Sequence, residues 1–539
     1  MNRHPVLIWP PIAEPSMPPL GIADLCTFLQ HTNPACSVID SNLEFLRLVP
    51  VLTQASPPSS NAPPHRWPRA SNTALAGCGH DEFINAYKAA SRERSQSLDR
   101  LCQKYRYSPA PSFLHPSEEP GNLSEMRENA TDPCGLYQRW LNQSTLLPCM
   151  RATNPCWIGI GINYAGQLPF AIALASRVKR EGLGPVIVGG ALLRDFAGCI
   201  GPDTPLWDII DVMVIGAGEH VLASLGQSSR GRLESLAGGV AMRPGKWLVR
   251  DARREVTTTP RYDAFPLDDY HAVARTLPVR ISAHCSWGRC AYCADAKYDA
   301  DMVGPRLGPG AAAERLWEVA QRHEACALCF ADSELPADFL IPFAAALKGR
   351  TGGQVHFGCN ARFARPLAVP SNMESLRSAG CTFLRFGLES GSNRLLREMR
   401  KGISSDLAAA VLQACAQAGI LTHVYIMTGY PGETDADWAK TRGFVMDNLH
   451  LIDMCSISSF ELYEGAPLFA AFPSAAIDSR ASDGNWVHPK VRRQPSEGED
   501  IAGRIHAFEN EFYSAKRFTR VFHSLADTIS LGGKARIPL

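Results

Sequence analysis

The segment HCSWGRCAYCADAKY (residues 284–298) places three cysteines, Cys285, Cys290 and Cys293, within nine residues. It overlaps the end of PVRISAH (278–284), a short run with β-branched residues that predicts a strand. Similar runs downstream predict further strands at 326–331, 354–359, 381–388, 420–427 and 455–462. Amphipathic helices are predicted between them, near 310–323, 335–348, 371–379, 392–400, 405–418 and 435–448. This alternation is typical of an open or partial (β/α)6 barrel, which forms its site at the carboxyl ends of the strands.

The clustered cysteines indicate a metal centre. Three thiolates can bind three irons of a cubane [4Fe–4S] cluster, and the missing fourth protein ligand leaves one iron open to a small molecule. Zinc is the alternative, with His284 as a fourth ligand, although a closed zinc site usually takes a second pair of ligands further away. Three ordinary thiols are the remaining interpretation. Another pair, Cys326 and Cys329, lies in a predicted buried strand and is interpreted as core thiols.

The first part of the chain predicts a second α/β sheet. Short apolar runs predict strands at 5–12, 36–40, 156–164, 185–190 and 211–219. Their alternation with helices indicates a Rossmann-like, parallel, doubly wound sheet. Ligands of such sheets bind at the carboxyl ends of the strands, where glycines let the backbone approach a bulky group. The candidate ligand-facing residues at these ends are Gly189, Gly190, Gly216, Gly218 and Glu219.

The predicted organisation has three parts. Residues 1–255 form the Rossmann-like domain, residues 256–465 the barrel, and residues 466–539 a small C-terminal helical region with one amphipathic helix around 503–526. Within the first part, residues 50–150 are rich in proline and serine and have little periodicity. This composition predicts an insertion that is partly loop.

The overall charge argues against several kinds of partner. Among 539 residues, 54 are Lys or Arg and 53 are Asp or Glu, so the formal net charge is +1. No bulk attraction to nucleic acid or to an anionic membrane follows from this balance. Pro10 and Pro11 break the N-terminal apolar run, and no stretch approaches about 20 apolar residues. We therefore expect a cytoplasmic protein with mostly reduced cysteines that binds neither nucleic acid nor membrane.

The cysteine loop resembles that of the radical S-adenosylmethionine (radical SAM) superfamily. The usual signature there is C-x3-C-x2-C, whereas four residues separate Cys285 from Cys290 in this chain. Three later segments resemble the cofactor-binding motifs of the superfamily: FADSELP (330–336), GLESGSNRLLREMRKG (387–402) and YIMTGYPGET (425–434). The resemblance implies a [4Fe–4S] cluster held by the three cysteines, with S-adenosylmethionine (SAM) as the second cofactor.

The same resemblance assigns roles to single residues. The implied cofactor-binding residues are Tyr292 near the adenine, Asp332, Ser333 and Glu334 at the methionine amino group, Arg362 at the carboxylate, Glu389 and Ser390 at the ribose and methionine portion, and Glu433 in the adenine-contacting segment. Glu389 and Glu433 have a second interpretation, as carboxylates that complement a helix dipole. For Arg362 the alternative is an interdomain salt bridge.

Residues 1–465 resemble a subgroup of this superfamily in which a Rossmann-like cobalamin-binding domain precedes the barrel. Its layout of strand-end loops is matched by PPIAEPSMPPLG (10–21), GINYAGQ (161–167), VGGALL (188–193) and VIGAGE (214–219). The D-x-H-x-x-G loop that supplies a histidine to cobalt in other cobalamin enzymes is absent, which implies base-off binding without that ligand. Alternatively, the glycines pack helices or bind a nucleotide, although no G-x-G-x-x-G follows the first strand.

These resemblances imply a cobalamin-dependent radical SAM enzyme, in the first place a methyltransferase acting on an unactivated carbon of a peptide or natural-product intermediate. Reductive cleavage of SAM would give a radical that abstracts a substrate hydrogen, and cobalamin would carry the methyl group. The implied partners are a small-molecule or peptide substrate and an electron donor such as flavodoxin or ferredoxin. Two alternatives remain: a radical cyclisation, oxidation or rearrangement without methyl transfer, and a non-catalytic cobalamin or iron–sulfur sensor.

Overall fold

The computed structural model divides the chain into two compact units. The first comprises Met1–Ala272 with Ser479–Pro489, and the second comprises Val273–Asp478 with Lys490–Leu539. The structure describes residues 3–32, 36–53, 80–105, 107–109, 114–116, 123–195, 200–226, 239–243, 246–252, 259–282, 285–294, 307–463, 465–471, 490–492 and 500–516. No helix within these ranges is long and apolar enough to cross a membrane. The division into a Rossmann-like domain, a barrel and a C-terminal helical region stays a prediction.

The first unit is built on one seven-stranded sheet. Its strands and those of a separate hairpin are β1 (Val6–Trp9), β2 (Ser37–Asp40), β3 (Tyr107–Pro109), β4 (Leu114–Pro116), β5 (Ile158–Gly161), β6 (Val186–Gly189), β7 (Val212–Gly216), β8 (Gly239–Arg243) and β9 (Lys246–Ala252). The sheet order is β2-β1-β5-β6-β7-β9-β8, in which β8 pairs antiparallel with β9 and the other pairs are parallel. Strands β3 and β4 pair with each other.

Helices connect these strands. They are α1 (Leu20–Thr32), α2 (Ser41–Thr53), α3 (His80–Tyr105), α4 (Leu123–Thr131), α5 (Leu136–Gln143), α6 (Leu146–Thr153), α7 (Leu168–Glu181), α8 (Ala191–Asp195) and α9 (Glu219–Gly226), with short 3-10 turns at Ala165–Gln167, Pro205–Asp208 and Leu267–Asp269. Strand β1 is buried along its whole length, and β5, β6 and β7 are buried except at their terminal glycines. Continuous apolar strands of this kind are typical of parallel sheets covered on both faces.

The insertion at residues 50–150 is more helical than its composition indicates. Helices α3, α4 and α5 and parts of α2 and α6 lie in this range, while the prediction that the insertion is partly loop stays a prediction, because residues 54–79 and 117–122 lie outside the described residues. Aromatic packing explains the order of this region: the rings of Tyr137 and Trp140 lie 4.8 and 5.2 Å from that of Phe170, edge to face. Such buried aromatic pairs stabilise the packing of this helix against the core of the first unit.

The second unit is built on six parallel strands that follow chain order. The strands are β10 (Thr276–Val279), β11 (Ala327–Phe330), β12 (His356–Ala361), β13 (Cys381–Glu389), β14 (Leu421–Thr428) and β15 (Met454–Ser459), while β16 (Glu461–Tyr463) and β17 (Lys490–Arg492) form a separate antiparallel pair. The helices are α10 (Pro309–Arg322), α11 (Ala337–Thr351), α12 (Pro370–Ser378), α13 (Asn393–Glu398), α14 (Ser405–Ala418), α15 (Asp435–Asp447) and α16 (Ile501–Ala515), with 3-10 turns at Arg365–Ala368 and Phe469–Ala471. The predicted fold class, a Rossmann-like sheet followed by a partial (β/α)6 barrel, is confirmed.

The C-terminal helix α16 packs on the last strand of this sheet. The hydroxyl of Tyr513 donates to the carbonyl of Cys455 on β15 at 2.8 Å, and the Lys516 ammonium donates to the carbonyl of Leu449 at 2.7 Å. Arg442 of α15 also forms an ion pair with Glu511. The predicted helix at 503–526 is therefore present up to Ala515, and its continuation beyond residue 516 lies outside the described residues.

Candidate active site

The cysteine loop, residues 285–294, follows the first strand of the second sheet and is held by backbone hydrogen bonds. The amide of Ala291 donates to the carbonyl of Met399 at 2.9 Å, and the carbonyl of Ala291 accepts from the amide of Leu468 at 2.8 Å. Cys290 is buried, which raises the pKa of its thiol, while the nearby charge of Lys401 opposes that effect. The loop thus has a fixed position with a cation beside one of its thiols.

The donor set of this loop, three thiolates, fits a cubane cluster with one iron left open. No three His, Cys, Asp or Glu side chains in the described ranges come close enough to share a single metal ion. Thiolates that bind three different irons of a cubane lie further apart than ligands of one ion. His284, the proposed fourth zinc ligand, lies outside the described residues. Cys329 is buried in β11, where burial raises the pKa of its thiol to about 11, as expected of a core thiol.

A half-buried acid and lysine lie beside a half-buried tyrosine of the loop. The Lys401 ammonium is 2.7 Å from Glu389 Oε1 and 3.1 Å from the hydroxyl of Tyr292. The side chains of Glu389 and Lys401 are each only 12% exposed. Burial and the charge of Glu389 raise the pKa of Tyr292 well above its usual range, so the phenol stays protonated. Two predicted cofactor-binding residues are therefore joined by a lysine that the sequence analysis did not single out.

The backbone of β13 is shaped to hold this group. Glu389 has φ of 68°, a left-handed conformation that is uncommon for a residue other than glycine and is often found at functional sites. The register between β13 and β14 also shifts between Gly387 and Glu389. A Cβ at Gly387 would lie 2.3 Å from Glu389 Oε1 and 2.8 Å from Lys401 Nζ. The glycine therefore leaves the space that the ion pair occupies.

Arg362, at the end of β12, is engaged with the cysteine loop. Its guanidinium carbon lies 3.9 Å from the centroid of the Trp287 ring, and it donates a hydrogen bond to the carbonyl of Lys401. The indole of Trp287 in turn donates to the carbonyl of Arg400 at 2.9 Å. Since these contacts all lie within the second unit, they favour a role in holding the loop over the interdomain salt bridge. The binding of a SAM carboxylate by Arg362 stays a prediction.

Asp332 and Glu334 differ in whether their carboxylate oxygens are already hydrogen-bonded within the protein. Asp332 accepts hydrogen bonds from the backbone amides of Ile281 and Ser282, the latter at 2.6 Å, and so fixes the exit from β10. One oxygen of Glu334 accepts from the hydroxyl of Ser286 at 2.6 Å. The other, Oε1, is buried and has no hydrogen-bond partner in the described part of the chain. A buried orphan acceptor indicates a missing donor, which makes Glu334 the better candidate for binding the amino group of a ligand.

Ser390 has a hydrogen-bond partner within α15, and Glu433 has partners at the end of β14. The hydroxyls of Ser390 and Thr441 lie 2.9 Å apart, and both residues are fully buried. Glu433 Oε2 accepts from the amide of Gly429 at 2.5 Å and from the hydroxyl of Thr428 at 3.0 Å. Burial raises the pKa of Glu433. Ser390 is therefore held by helix α15 and Glu433 by the turn that follows β14, and neither hydrogen-bonds the group around Lys401 in the described part of the chain.

In the first unit, the strand order reverses between β1 and β5, which is where open parallel sheets bind ligands. The side chain of Gln167, fully buried, joins the two loops at this point. Its carbonyl oxygen accepts from the amides of Asn163 and Tyr164 at 2.8 and 3.1 Å, and its amide donates to the carbonyl of Pro10 at 2.9 Å. The loop after each strand is thus fixed in position by one glutamine.

Gly190 and Gly189 differ in whether the surrounding protein leaves room for a side chain. Gly190 has φ of 120°, and a Cβ there would lie 2.4 Å from the carbonyl oxygen of Ile162. The protein's own backbone therefore requires this glycine, whether or not a ligand approaches, and the interpretation based on ligand access alone is corrected. A Cβ at Gly189 would meet nothing closer than the carbonyl oxygen of Val214 at 3.7 Å. At Gly189 the protein itself leaves room for a side chain, so the space there is available to a ligand.

The other candidate residues of the first unit, Gly216, Gly218 and Glu219, also differ in their surroundings. Gly216 is exposed at the end of β7 with φ of 100°. A Cβ at Gly218 would touch Leu25 of α1 at 3.4 Å, which favours the helix-packing interpretation for that glycine. Glu219 is buried in the first turn of α9. The glycine-bearing ends of β6 and β7 thus supply Gly189 and Gly216 as the residues available to a ligand.

Polar residues on the inner face of the second sheet were missed from the sequence. Arg385 and Gly387 are half-buried and alternate with the buried residues of β13, and the register pairs Arg385 with His423 of β14. Arg385 donates to the carbonyl of Phe330 at 3.2 Å, and its Nε is buried without a hydrogen-bond partner in the described part of the chain. His423 hydrogen-bonds Ser456 at 2.8 Å. The only signal in the sequence was a charged residue inside an otherwise apolar strand.

Comparison with known proteins agrees with this architecture. Residues 279–445 match the radical SAM superfamily. A Methanocaldococcus jannaschii protein assigned as a methylthiotransferase is 25% identical over 75 residues, a match that spans 14% of this chain and 17% of that relative. The radical SAM methyltransferase TsrM from Kitasatospora setae, solved with cobalamin and a [4Fe–4S] cluster bound, matches at a TM-score of 0.53 and 14% identity, over 87% of this chain and 77% of TsrM.

A second solved structure gives the same result. The cobalamin-dependent radical SAM enzyme OxsB, solved with aqua-cobalamin and SAM bound, matches at a TM-score of 0.56 and 13% identity, over 96% of this chain and 66% of OxsB. The chain therefore carries a radical SAM domain and has the fold of cobalamin-dependent radical SAM enzymes, as the sequence predicted. A radical SAM domain implies a [4Fe–4S] cluster and SAM as cofactors.

Proposed function

We propose that the chain is a cobalamin-dependent radical SAM methyltransferase that acts on an unactivated carbon of a peptide or natural-product intermediate. The observation that carries the proposal is the three-cysteine loop with the hydrogen-bonded group of Tyr292, Glu389 and Lys401, in a chain whose radical SAM domain follows a Rossmann-like sheet. The cluster supplies the electron that cleaves SAM, and cobalamin supplies a carrier for the methyl group. The protein binds, orients and shields the reacting groups.

Within the barrel, each residue has a separable task. Cys285, Cys290 and Cys293 would hold the cluster, and Glu334 Oε1 would accept a hydrogen bond from the amino group of SAM. Lys401 holds the carboxylate of Glu389 and the hydroxyl of Tyr292 in one orientation. A ligand entering beside them meets groups that are already fixed, which lowers the entropic cost of positioning it.

In the first unit, the proposed cobalamin site consists of the loops at the β1–β5 switch point and the ends of β6 and β7. Gln167 fixes the first two loops, and Gly189 and Gly216 leave the strand ends without side chains. The sequence lacks the D-x-H-x-x-G motif. We therefore expect about one cobalamin per chain in purified protein, with a base-off spectrum in the cob(II)alamin state.

The inner face of the second sheet supports a polar or anionic substrate. Arg385 presents a guanidinium with an unpaired Nε to this face, and the neighbouring His423 and Ser456 are polar. A buried donor of this kind is best satisfied by a carboxylate or a carbonyl oxygen. Peptide and natural-product intermediates that carry such a group would fit, whereas a plain hydrocarbon would leave the guanidinium unpaired.

The decisive experiment follows a labelled methyl group. Reconstituted enzyme is incubated anaerobically with SAM labelled in its methyl carbon and with candidate substrates that carry a carboxylate. Label in both cobalamin and product, with 5′-deoxyadenosine and S-adenosylhomocysteine in comparable amounts, is the result expected of methylation at an sp3 carbon. A converted substrate accompanied by 5′-deoxyadenosine but never by labelled carbon would instead identify a cyclisation, oxidation or rearrangement. A protein that binds both cofactors but turns over no substrate would favour the sensor alternative.

A further inference from the structure

A cavity of about 550 Å³ opens beside the cysteine loop. Its wall is formed by Trp287 and Arg289 of that loop, by Leu396 and Arg397 of α13, and by Arg400 in the segment that follows. Tyr292, Glu334 and Glu389 are not among the residues that line it, nor are the other candidate SAM-binding residues. The wall of the cavity thus adjoins the proposed cofactor site through Trp287, which contacts Arg362, but contains none of the candidate SAM-binding residues.

The surface around this cavity is strongly cationic. Arg289, Arg397 and Arg400 are exposed, and no Asp or Glu is among the described residues that line the cavity. Glu398, the acidic residue of α13, already forms an ion pair with Arg394 at 2.7 Å. Because the chain as a whole has a net charge of only +1, this patch is a local concentration of positive charge. A patch of this kind attracts an acidic partner and raises its rate of association.

Trp287 links the patch to the thiols. It lies between Cys285 and Cys290 in the sequence, and its indole is fixed by the hydrogen bond to the carbonyl of Arg400. The guanidinium of Arg289 lies 5.2 Å from the same ring. A protein docked on this patch therefore contacts the loop that carries the proposed cluster, without entering the SAM site or the inner face of the sheet.

We infer that the surface formed by Trp287, Arg289, Arg397 and Arg400 is the docking site of an acidic one-electron carrier protein that reduces the cluster. This inference rests on the proposed function, since it requires the cluster on the cysteine loop. In each encounter the reduced carrier loses one electron and the [4Fe–4S] cluster passes from its 2+ to its 1+ state. No bond is formed or broken. Interfaces of electron carriers are small and charged, which suits a shallow patch of this kind.

The test uses the holoenzyme and reduced bacterial flavodoxin as the probe. The double variant Arg397→Glu/Arg400→Glu reverses the charge of the patch but leaves the backbone carbonyl that holds Trp287. We expect cluster reduction, followed by anaerobic stopped-flow absorbance, to slow by about 10-fold or more. The rate of cluster reduction in the wild type should also fall as the salt concentration rises, and the rate in the variant should depend much less on salt. The affinity for oxidised flavodoxin, measured by calorimetry, should fall by a similar factor.

A matched control is Arg365→Glu/Lys440→Glu, which makes the same change in charge at two exposed positions away from the cavity. Its cluster should be reduced by flavodoxin at the wild-type rate, and dithionite should reduce all three proteins alike. Equal flavodoxin rates in the patch variant and wild type would overturn the docking site and leave the proposed function intact. An equal loss with dithionite would also overturn it, because the defect would then lie in the loop itself. Failure of the wild type to assemble a cluster at all would refute the proposed function.

Discussion

Lys401 is the residue on which the candidate site most depends. It bridges Glu389 and Tyr292, and removing it would leave a carboxylate that is only 12% exposed without its cation. Breaking one partner of a buried pair is costly because the remaining charge is desolvated and uncompensated. We expect Lys401→Met to weaken SAM binding to the reconstituted protein by about 10-fold or more, a change of roughly 1.4 kcal/mol. Equilibrium binding with the cluster assembled measures this directly.

The control for this prediction is a double-mutant cycle. Glu389→Gln removes the charge that Lys401 balances, so the double variant should bind SAM no worse than the weaker single variant. Lys401→Arg should retain part of the affinity, because a guanidinium can still pair with Glu389. Additive losses in the double variant would show that the two residues act separately, and the bridge would then have no role in binding.

Asp437 fixes the loop after β13 to the start of α15. It accepts hydrogen bonds from the hydroxyls of Ser392 and Thr434, both at 2.6 Å, and pairs with Arg394. The guanidinium of Arg394 holds the pKa of Asp437 well below its usual range. The folded state thus keeps the carboxylate ionised where the unfolded chain would protonate it.

We expect Asp437→Asn to destabilise the protein by about 1–3 kcal/mol at neutral pH, the value of a buried, charge-assisted hydrogen-bond network. Because the folded pKa of Asp437 is depressed, its contribution is fully present above the unfolded pKa of about 3.9 and is lost as pH falls below it. The difference in melting temperature between wild type and variant should therefore be constant from pH 7 to about 5 and shrink below about pH 4. A difference that grows on acidification would contradict this assignment.

At the scale of single elements, two variants at the end of β6 test whether a glycine is required by the protein's own backbone or only by a ligand. Gly190→Ala would force a Cβ to within 2.4 Å of the carbonyl oxygen of Ile162 at a φ of 120°. We expect a loss of about 1–3 kcal/mol in stability even in protein purified without cobalamin. Gly189→Ala, where the nearest atom would be 3.7 Å away, is the matched control and should melt with the wild type. Melting curves of the two apo variants decide between these expectations.

Elements with strong apolar periodicity could be predicted from the sequence, often to within two residues. Helix α14 was predicted at 405–418 and observed at Ser405–Ala418, where the hydroxyl of Ser404 caps its N-terminus and Gly419 ends it in a left-handed conformation. Both signals are local in the chain. Strands β8 and β9 were missed because their apolar runs, residues 240–242 and 247–249, are only three residues long and are bounded by glycine or charged residues.

The candidate site could be predicted only where its residues lie close in the sequence. The three cysteines and Tyr292 occupy one loop, so their proximity follows from the chain itself. Lys401 reaches Tyr292 across 109 positions, and Gln167 reaches Pro10 across 157. Contacts of this separation depend on how helices pack over the sheets, which no local pattern encodes. Conversely, Asp332 matches a motif in the sequence, but its carboxylate accepts hydrogen bonds from the backbone amides just after β10.

For the whole molecule, the two compact units imply two separable cofactor sites. The glycine-bearing strand ends and Gln167 lie in the first unit, and the cysteine loop with Lys401 lies in the second. Each unit has its own parallel sheet, so the loops of each site are positioned by hydrogen bonds within one unit. A substitution that removes one cofactor without unfolding its unit should therefore leave the other in place.

This separation predicts the cofactor content of two variants. Replacing Cys285, Cys290 and Cys293 by Ala should lower the iron content from about four per chain to near zero, since one cubane holds four irons, while about one cobalamin is retained. Gly189→Val should do the reverse, because its side chain would fill the space left to the ligand at the end of β6 while the cysteine loop is unchanged. Iron and cobalamin are assayed in protein whose melting temperature matches the wild type. If the cysteine variant loses cobalamin while remaining folded, the two cofactors are coupled and their assignment to separate units is wrong.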